Sequence, residues 1–251
     1  MTAVLVAEKL SRNFGGIQAI DDLSFALIEG EIVALIGPNG AGKTTLFAVI
    51  AGFERPTAGR VLFEDIDITT EPVHRRAHRG IARTFQIVQP FAGLTVRENI
   101  AVGAHLRHRA RKDALEKAEA VARQVGLGGV LDRQADGLTV AGRKRLELGR
   151  ALATAPKLLL LDEVLAGLNP SEIRDMIPVI DAIRESGLTI LMIEHVMQSV
   201  MGLCQHIYVL AEGRIIAEGP PDAISRNPRV VEAYLGHGAA ARRRGSEASH
   251  V

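Results

Sequence analysis

The segment that most constrains this chain fits the pattern G-x-x-x-x-G-K-[ST] and reads Gly37-Pro38-Asn39-Gly40-Ala41-Gly42-Lys43-Thr44. The apolar stretch Glu31–Ile36 before it predicts a strand, and a helix is predicted to begin near Lys43. In such a unit, backbone N–H groups turn inward around phosphates and the helix N-terminus adds its positive dipole end. Lys43 adds a point charge, and Thr44 offers a hydroxyl to Mg²⁺. The segment predicts binding of a nucleoside triphosphate; the alternative is a plain glycine-rich turn.

Two adjacent carboxylates form a second candidate site. Asp162 and Glu163 end the apolar run Lys157–Leu161, which is typical of a fully buried parallel strand. Ligands of doubly wound sheets bind outside the carboxyl ends of the strands. We therefore expect Asp162 to help hold Mg²⁺ and Glu163 to face the attacking water. The alternative, a strand that ends in solvated acids, is common where no phosphate loop is present.

Composition limits the class of protein. The chain has 251 residues, is 47% hydrophobic and carries a formal net charge of +1, so it can bury a core and shows no overall bias toward nucleic acid. No apolar stretch approaches the roughly 18 to 20 residues that span a bilayer, and Met1–Leu10 lacks the pattern of a signal peptide. We expect a cytoplasmic protein unless a partner holds it at a membrane. The single cysteine, Cys204, is predicted to be a buried thiol.

The order of predicted elements indicates an α/β fold. Short strands dominate up to about Phe85 and predict a partly antiparallel sheet around the phosphate loop. Residues 89–152 change to a helical pattern, in which 112–125 places one apolar face, formed by Leu115, Ala118, Val121, Ala122 and Val125. Strands and a helix alternate again from Leu158 onward. The tail 238–251 has no periodic apolar face and is predicted to be a disordered basic segment, either solvated or touching anionic lipid.

These motifs, in this order, resemble the ATP-binding subunits of ABC transporters. Within that family the chain is most similar to the ATPase of branched-chain amino-acid importers, and the stretches that carry this similarity are 14–16, 166–170 and 233–236. The resemblance covers about residues 4–236 and implies a P-loop core of the ABC ATPase type over 1–237, with an antiparallel β subdomain and a helical subdomain inserted at about 89–152. By resemblance, segment 82–86 is the Q-loop, 138–150 holds the family signature, and 166–169 is the D-loop. The resemblance also assigns ATP binding to Thr45, together with residues 37–44 and Asp162.

Three single residues gain roles from this resemblance. Gln86 follows a predicted strand, so its amide could reach Mg²⁺ or the attacking water while its backbone links the two lobes. His195 ends an apolar strand, where an imidazole can contact the γ-phosphate and orient water; a hydrogen-bonded strand-end histidine is the alternative. Phe14 resembles the aromatic residue that stacks on adenine, although it could equally belong to the core.

The signature departs from the common Leu-Ser-Gly-Gly-Gln, since this chain has Leu138-Thr139-Val140-Ala141-Gly142. In the family this segment caps the ATP of the other subunit with a hydroxyl and backbone N–H groups, which assigns nucleotide contact to Thr139, Ala141 and Gly142. Thr139 keeps a hydroxyl, but the Cβ atoms of Val140 and Ala141 could block close approach or force an altered backbone angle. Alternatively, Ala141 adopts the needed angles and the change is silent.

The resemblance implies an ATP-hydrolysing motor subunit of a membrane importer, with ATP and Mg²⁺ as cofactors. The implied partners are a second, homologous ATPase subunit in a head-to-tail dimer, two transmembrane permease subunits docking near 86–91 and, indirectly, an extracytoplasmic binding protein, without nucleic acid. The implied location is peripheral, on the inner face of the cell membrane. The alternatives are the ATPase of a lipid or lipopolysaccharide exporter and a soluble ABC-type ATPase. Repair ATPases of that type insert long coiled coils and translation factors usually carry two ATPase domains, and neither feature is present in this sequence.

Overall fold

The computed structural model describes residues 2–87 and 89–235, which form two β-sheets and a set of helices. The strands are β1 (Ala3–Phe14), β2 (Ile17–Ile28), β3 (Ile32–Ile36), β4 (Ala58–Phe63), β5 (Ile66–Asp67), β6 (Ile81–Arg83), β7 (Leu158–Asp162), β8 (Thr189–Ile193), β9 (His206–Ala211) and β10 (Arg214–Gly219). The α-helices are α1 (Lys43–Ala51), α2 (Val73–Arg79), α3 (Val96–Ala104), α4 (Arg111–Gln124), α5 (Val140–Ala153), α6 (Pro170–Glu185), α7 (Met197–Leu203), α8 (Pro221–Ser225) and α9 (Pro228–Leu235). The predicted tail, 238–251, lies outside the described residues.

The larger sheet positions the candidate site. Its strand order is β10-β9-β3-β8-β7-β6, and every neighbouring pair is parallel except β10 with β9. Strands β3, β7 and β8 are buried at every residue, which explains why they read as unbroken apolar runs rather than as alternating ones. Since parallel strands share one carboxyl edge, the segments after β3, β6, β7 and β8 meet there. Those segments carry the phosphate loop, Gln86, Glu163 and His195.

The smaller sheet has the order β2-β1-β4-β5 and is antiparallel throughout. The sequence predicted a partly antiparallel sheet around the phosphate loop and an antiparallel β subdomain, and this smaller sheet confirms the subdomain. The strand before the loop, β3, belongs to the larger sheet, where it pairs in parallel with β8 and β9. Helix α1 lies between the two sheets: its Leu46 and Phe47 pack in one core cluster with Leu5 of β1 and Leu35 of β3.

Helices α3, α4 and α5 follow β6 and precede β7, within the segment where a helical lobe is predicted. On α4 the fully buried residues are Ala114, Ala118, Val121 and Ala122, while Leu115 is only partly buried, so the predicted apolar face is rotated slightly toward Ala114.

Over residues 2–87 and 89–235, no helix combines the length and the apolarity that crossing a bilayer requires. Cys204 is buried, as predicted, with its Sγ 3.6 Å from Met192 Sδ, and burial raises its pKa to about 12.

Candidate functional site

The phosphate loop is shaped by close backbone approaches that only glycine allows. Gly37 has φ 150° and Gly42 has φ 102°. A Cβ added to Gly37 would lie 2.0 Å from the carbonyl oxygen of Leu210, and one added to Gly42 would lie 2.2 Å from that of Ala19. Gly42 also caps the start of α1 without a side chain, which leaves the first N–H groups of the helix free to face an anion.

Lys43 is folded back onto the loop that precedes it. Its Nζ donates to the carbonyl oxygens of Gly37 at 2.8 Å and Pro38 at 2.9 Å, and the side chain is 7% exposed. Burial lowers the Lys43 pKa, and the charges of Glu163 and Asp162 oppose that shift. The ammonium group therefore stands at the loop, with weak neutral acceptors that a phosphate can replace.

Asp162, the last residue of β7, is buried and held by an ion pair. Its Oδ2 accepts from Arg83 Nη2 at 2.8 Å, and its backbone N–H donates to Thr84 Oγ1. Within the described part of the chain, Oδ2 is the carboxylate oxygen that accepts a side-chain hydrogen bond, so Oδ1 can bind another ligand. Arg83 was not singled out from the sequence. Its guanidinium lies 5.5 to 5.9 Å from the ring centroids of Phe47, Phe53 and Phe85, and its Nε is buried without a hydrogen-bond partner among the described residues.

The Glu163 carboxylate brings together the two single residues expected to act with it. Oε2 accepts from Gln86 Nε2 at 2.6 Å, and Oε1 lies 3.0 Å from His195 Nε2. Glu163 has φ 50°, in the left-handed region that non-glycine residues rarely adopt and that often marks active sites. Three segments that are far apart in sequence thus converge on one carboxylate, a geometry suited to a general base.

The donor groups at the carboxyl edge of the larger sheet fit a magnesium ion. Thr44, Gln86 and Asp162 line one cavity of about 570 Å³ and offer a hydroxyl, an amide and a carboxylate, the oxygen ligands that Mg²⁺ prefers. Within the described part of the chain, no cluster of three or more His, Cys, Asp or Glu side chains could hold a metal by itself. Mg²⁺ that binds with a nucleotide is typically held by one or two carboxylates together with phosphate oxygens.

The signature segment begins α5. Thr139 is the N-cap and its Oγ1 accepts from the Gly142 N–H at 3.1 Å, while Val140 and Ala141 are the first two helical residues, neither with a positive φ. Val140 is 56% exposed, so its Cβ and methyl groups project from the surface. The structure therefore removes one of the two concerns, an altered backbone angle, and leaves the added bulk.

Two further segments carry predicted features. Asn169, at the end of the D-loop, caps α6 in a reciprocal capping box with Glu172, so it has a local structural role. Phe14 is 42% exposed, and the Arg12 guanidinium lies 4.3 Å from its ring centroid. An exposed, cation-stacked ring is compatible with a contact to adenine, and that role stays a prediction.

Sequence reasoning missed two buried charged residues beside Glu163. Lys144 of α5 is 7% exposed, and Glu194, the residue before His195, is 1% exposed. Glu194 Oε1 accepts from the Leu165 N–H at 2.8 Å, which ties the segment after β8 to the one after Glu163. The available signals were weak: a basic run at 143–145, directly after the signature segment, and a carboxylate directly before His195.

Burial raises the pKa of Glu194 from 4.5 to about 7. Hydrogen bonds from the Leu165 and His195 N–H groups lower the pKa and offset part of this shift. The folded chain therefore retains a proton that the unfolded chain releases between about pH 4.5 and 7, and stability falls as pH rises through that window. Glu194→Gln keeps the acceptor oxygen and removes the charge. We expect it to raise the free energy of unfolding at pH 8 by up to about 3 kcal/mol, and by much less at pH 5.

Urea unfolding at the two pH values, with the exposed Glu185→Gln as control, measures this effect. An equal gain at both pH values, or no gain at pH 8, would show that the Glu194 carboxyl group is not held in its protonated form by the fold.

Comparison with known proteins identifies the family. The profile described as ABC transporter matches residues 20–166, and the profile described as branched-chain amino acid ATP-binding cassette transporter matches residues 214–240. LivG of Escherichia coli, a high-affinity branched-chain amino acid transport ATP-binding protein, is 39% identical over 249 residues, 93% of this chain and 98% of LivG. LptB of Haemophilus influenzae, a lipopolysaccharide export system ATP-binding protein, is 34% identical over 235 residues, 93% of this chain and 98% of LptB.

The solved structures agree with the sequence match. The crystal structure of the ADP conformation of MJ1267, an ATP-binding cassette of an ABC transporter, aligns with a TM-score of 0.86 at 35% identity, over 94% of this chain and all of that one. The fold and the phosphate loop define a P-loop ATPase, as the sequence predicted. The chain belongs to the ATP-binding subunits of ABC transporters.

Proposed function

We propose that this chain is the ATP-hydrolysing motor subunit of a membrane importer for branched-chain or related amino acids. The observation that carries the solute class is the match of residues 214–240 to the branched-chain cassette profile, together with the LivG identity over nearly the full length.

In the proposed reaction, a water molecule attacks the γ-phosphorus of ATP, the bond to the β,γ-bridging oxygen breaks, and ADP and phosphate leave. Glu163 Oε1 or Oε2 takes the proton of the water, while Gln86 and His195 orient it. Lys43 and the loop N–H groups balance the phosphate charge. Thr44, Gln86 and Asp162 would hold Mg²⁺, which supplies further charge neutralisation when bound.

The proposed partners are a homologous ATPase subunit, whose signature segment closes this chain's ATP site, and two permease subunits, with a substrate-binding protein acting through the permeases. We place permease docking at the aromatic groove, a cavity of about 250 Å³ whose lining includes Phe53, Ala77, Phe85, Val102 and Arg150. Phe53 is 50% exposed and Phe85 45% exposed, and Ile87 and Phe91 extend the apolar surface. Exposed apolar patches of this kind mark protein interfaces. The chain would then sit on the inner face of the membrane through its partners.

Affinity purification from detergent-solubilised membranes tests this proposal. A tagged chain is expected to retain two permease subunits, and the assembled complex in liposomes is expected to take up leucine when ATP is supplied. Phe85→Glu should reduce permease recovery without changing ATP binding, whereas the matched surface change Ile66→Glu should not. Recovery of lipopolysaccharide-export partners would favour the exporter, the function of LptB, and recovery of no membrane protein would favour a soluble ATPase.

The altered signature predicts unequal ATP sites if the partner carries the glycine-rich form. Each site combines one chain's phosphate loop with the other chain's signature, so Lys43 and Glu163 would meet the regular signature and turn over faster. The site capped by Thr139 and Ala141 would be slower, because Val140 and Ala141 add bulk where phosphate approaches. Replacing the glutamate base of each chain in turn should give unequal losses of ATP turnover. Equal losses, or an unchanged rate after Val140→Gly with Ala141→Gly, would refute the asymmetry.

A further inference from the structure

We propose that Lys144 is a positioning residue for ATP hydrolysis: its buried ammonium group holds the backbone of Glu163 and the backbone of Gln86 in one fixed arrangement. Lys144 does not touch the reacting atoms. It acts through the two residues whose side chains meet over the proposed water site, and it lies on α5, the helix that begins at the signature segment.

The contacts of the ammonium group carry this inference. Lys144 Nζ donates to the carbonyl oxygen of Glu163 at 2.9 Å and to that of Gln86 at 3.2 Å. The side chains of the same two residues are joined by the 2.6 Å bond from Gln86 Nε2 to Glu163 Oε2. Lys144 therefore bonds to the backbones of the same two residues whose side chains bond to each other. No other described residue donates a side-chain hydrogen bond to both carbonyls.

The conformation of Glu163 explains why such a contact is needed. At φ 50° its backbone is in the left-handed region, which persists only where the surroundings determine it. Its N–H donates to Ile193 O at 2.9 Å, and its carbonyl accepts from the Ala166 N–H at 3.2 Å as well as from Lys144. Of these three contacts, only the one from Lys144 is made by a side chain and can be removed by substitution.

Burying the charged ammonium group of Lys144 costs free energy, and packing of its side chain does not by itself explain why it is buried. Only 7% of it is exposed, and burial lowers its pKa, while Glu194, Glu163, Asp162 and Glu147 oppose that shift. A buried ammonium group requires hydrogen-bond partners, and here two of them are the carbonyl oxygens of Glu163 and Gln86. A neutral side chain without a donor would remove this contact from both carbonyls and leave the Glu163 backbone held only by its contacts to Ile193 and Ala166.

The test measures ATP turnover in the assembled complex with ATP and Mg²⁺, and ATP affinity separately on the purified full-length chain. For Lys144→Met, which keeps an unbranched apolar stem as far as Cε and removes the ammonium group, we expect kcat to fall at least about tenfold, because small displacements of catalytic groups cost one to two orders of magnitude. The dissociation constant for ATP, measured by calorimetry, should stay within about twofold, since the phosphate loop is untouched. Lys144→Gln can still donate a hydrogen bond, so its kcat should lie between those of the wild type and Lys144→Met. The exposed Lys112→Met should have the kcat of the wild type.

A kcat of Lys144→Met within about twofold of the wild type overturns the proposal, and so does a parallel loss of kcat and ATP affinity, which a purely structural role would give. If Lys144→Met does not fold, Lys144→Gln decides: a lower kcat at unchanged ATP affinity supports positioning, and a wild-type kcat overturns it. The inference rests on the proposed role of Glu163. Normal turnover by Glu163→Gln would reject that role, whatever the Lys144 variants do.

Discussion

Glu163→Gln is expected to lower ATP turnover by about 100-fold to 10,000-fold, the usual range for removing a general base. The amide keeps the shape of the side chain and can still accept from Gln86 Nε2, which now lies 2.6 Å from the carboxylate. It cannot take a proton from water at neutral pH. The affinity for ATP should not fall, because the phosphate loop and Lys43 are intact, and uncleaved ATP should hold the two ATPase subunits together.

Steady-state phosphate release from the assembled complex measures this effect, with Glu64→Gln on an exposed turn as the matched control. If the turnover of Glu163→Gln stays within about threefold of the wild type, a change of roughly 0.65 kcal/mol in the barrier, Glu163 is not the base.

Lys43→Ala is expected to abolish ATP binding at ordinary nucleotide concentrations. Removing a charge-assisted contact to phosphate costs about 1.5 to 3 kcal/mol or more, which corresponds to a loss of affinity of at least about tenfold. The ammonium group, now bonded to the carbonyls of Gly37 and Pro38, exchanges those neutral acceptors for charged phosphate oxygens when ATP binds.

Isothermal calorimetry with ATP gives the dissociation constant directly. Lys157→Ala, which removes a partly exposed lysine paired with Glu64, is the matched control and should bind ATP normally. An unchanged ATP affinity in Lys43→Ala would show that this loop does not bind the nucleotide.

Much of the fold follows from the sequence because its signals are local. The unbroken apolar runs of β3, β7 and β8 predict buried parallel strands, and the carboxyl edge of a parallel sheet then brings their following segments together. Gln86, Glu163 and His195 could be placed near one another on that ground. The separate antiparallel sheet was harder to predict, since the alternation of a strand does not say which neighbour it pairs with.

The remaining parts of the site depend on tertiary packing. Lys144 looks like one more exposed lysine in a basic run, and only the docking of α5 against the segments after β6 and β7 buries it. Likewise, Arg83 reads as a strand residue, and its pairing with Asp162 requires β6 and β7 to be neighbours. The left-handed backbone of Glu163 has no sequence signal, because glutamate does not favour that conformation.

The identity of the nucleotide retained by the protein tests the central claim most directly. The wild type and Glu163→Gln are each incubated with ATP and Mg²⁺ in the assembled complex, separated from free nucleotide, denatured and analysed by chromatography. If Glu163 is the base of a phosphate-loop ATPase, the variant retains ATP while the wild type retains ADP. Retention of ADP by both proteins would contradict this account of the site.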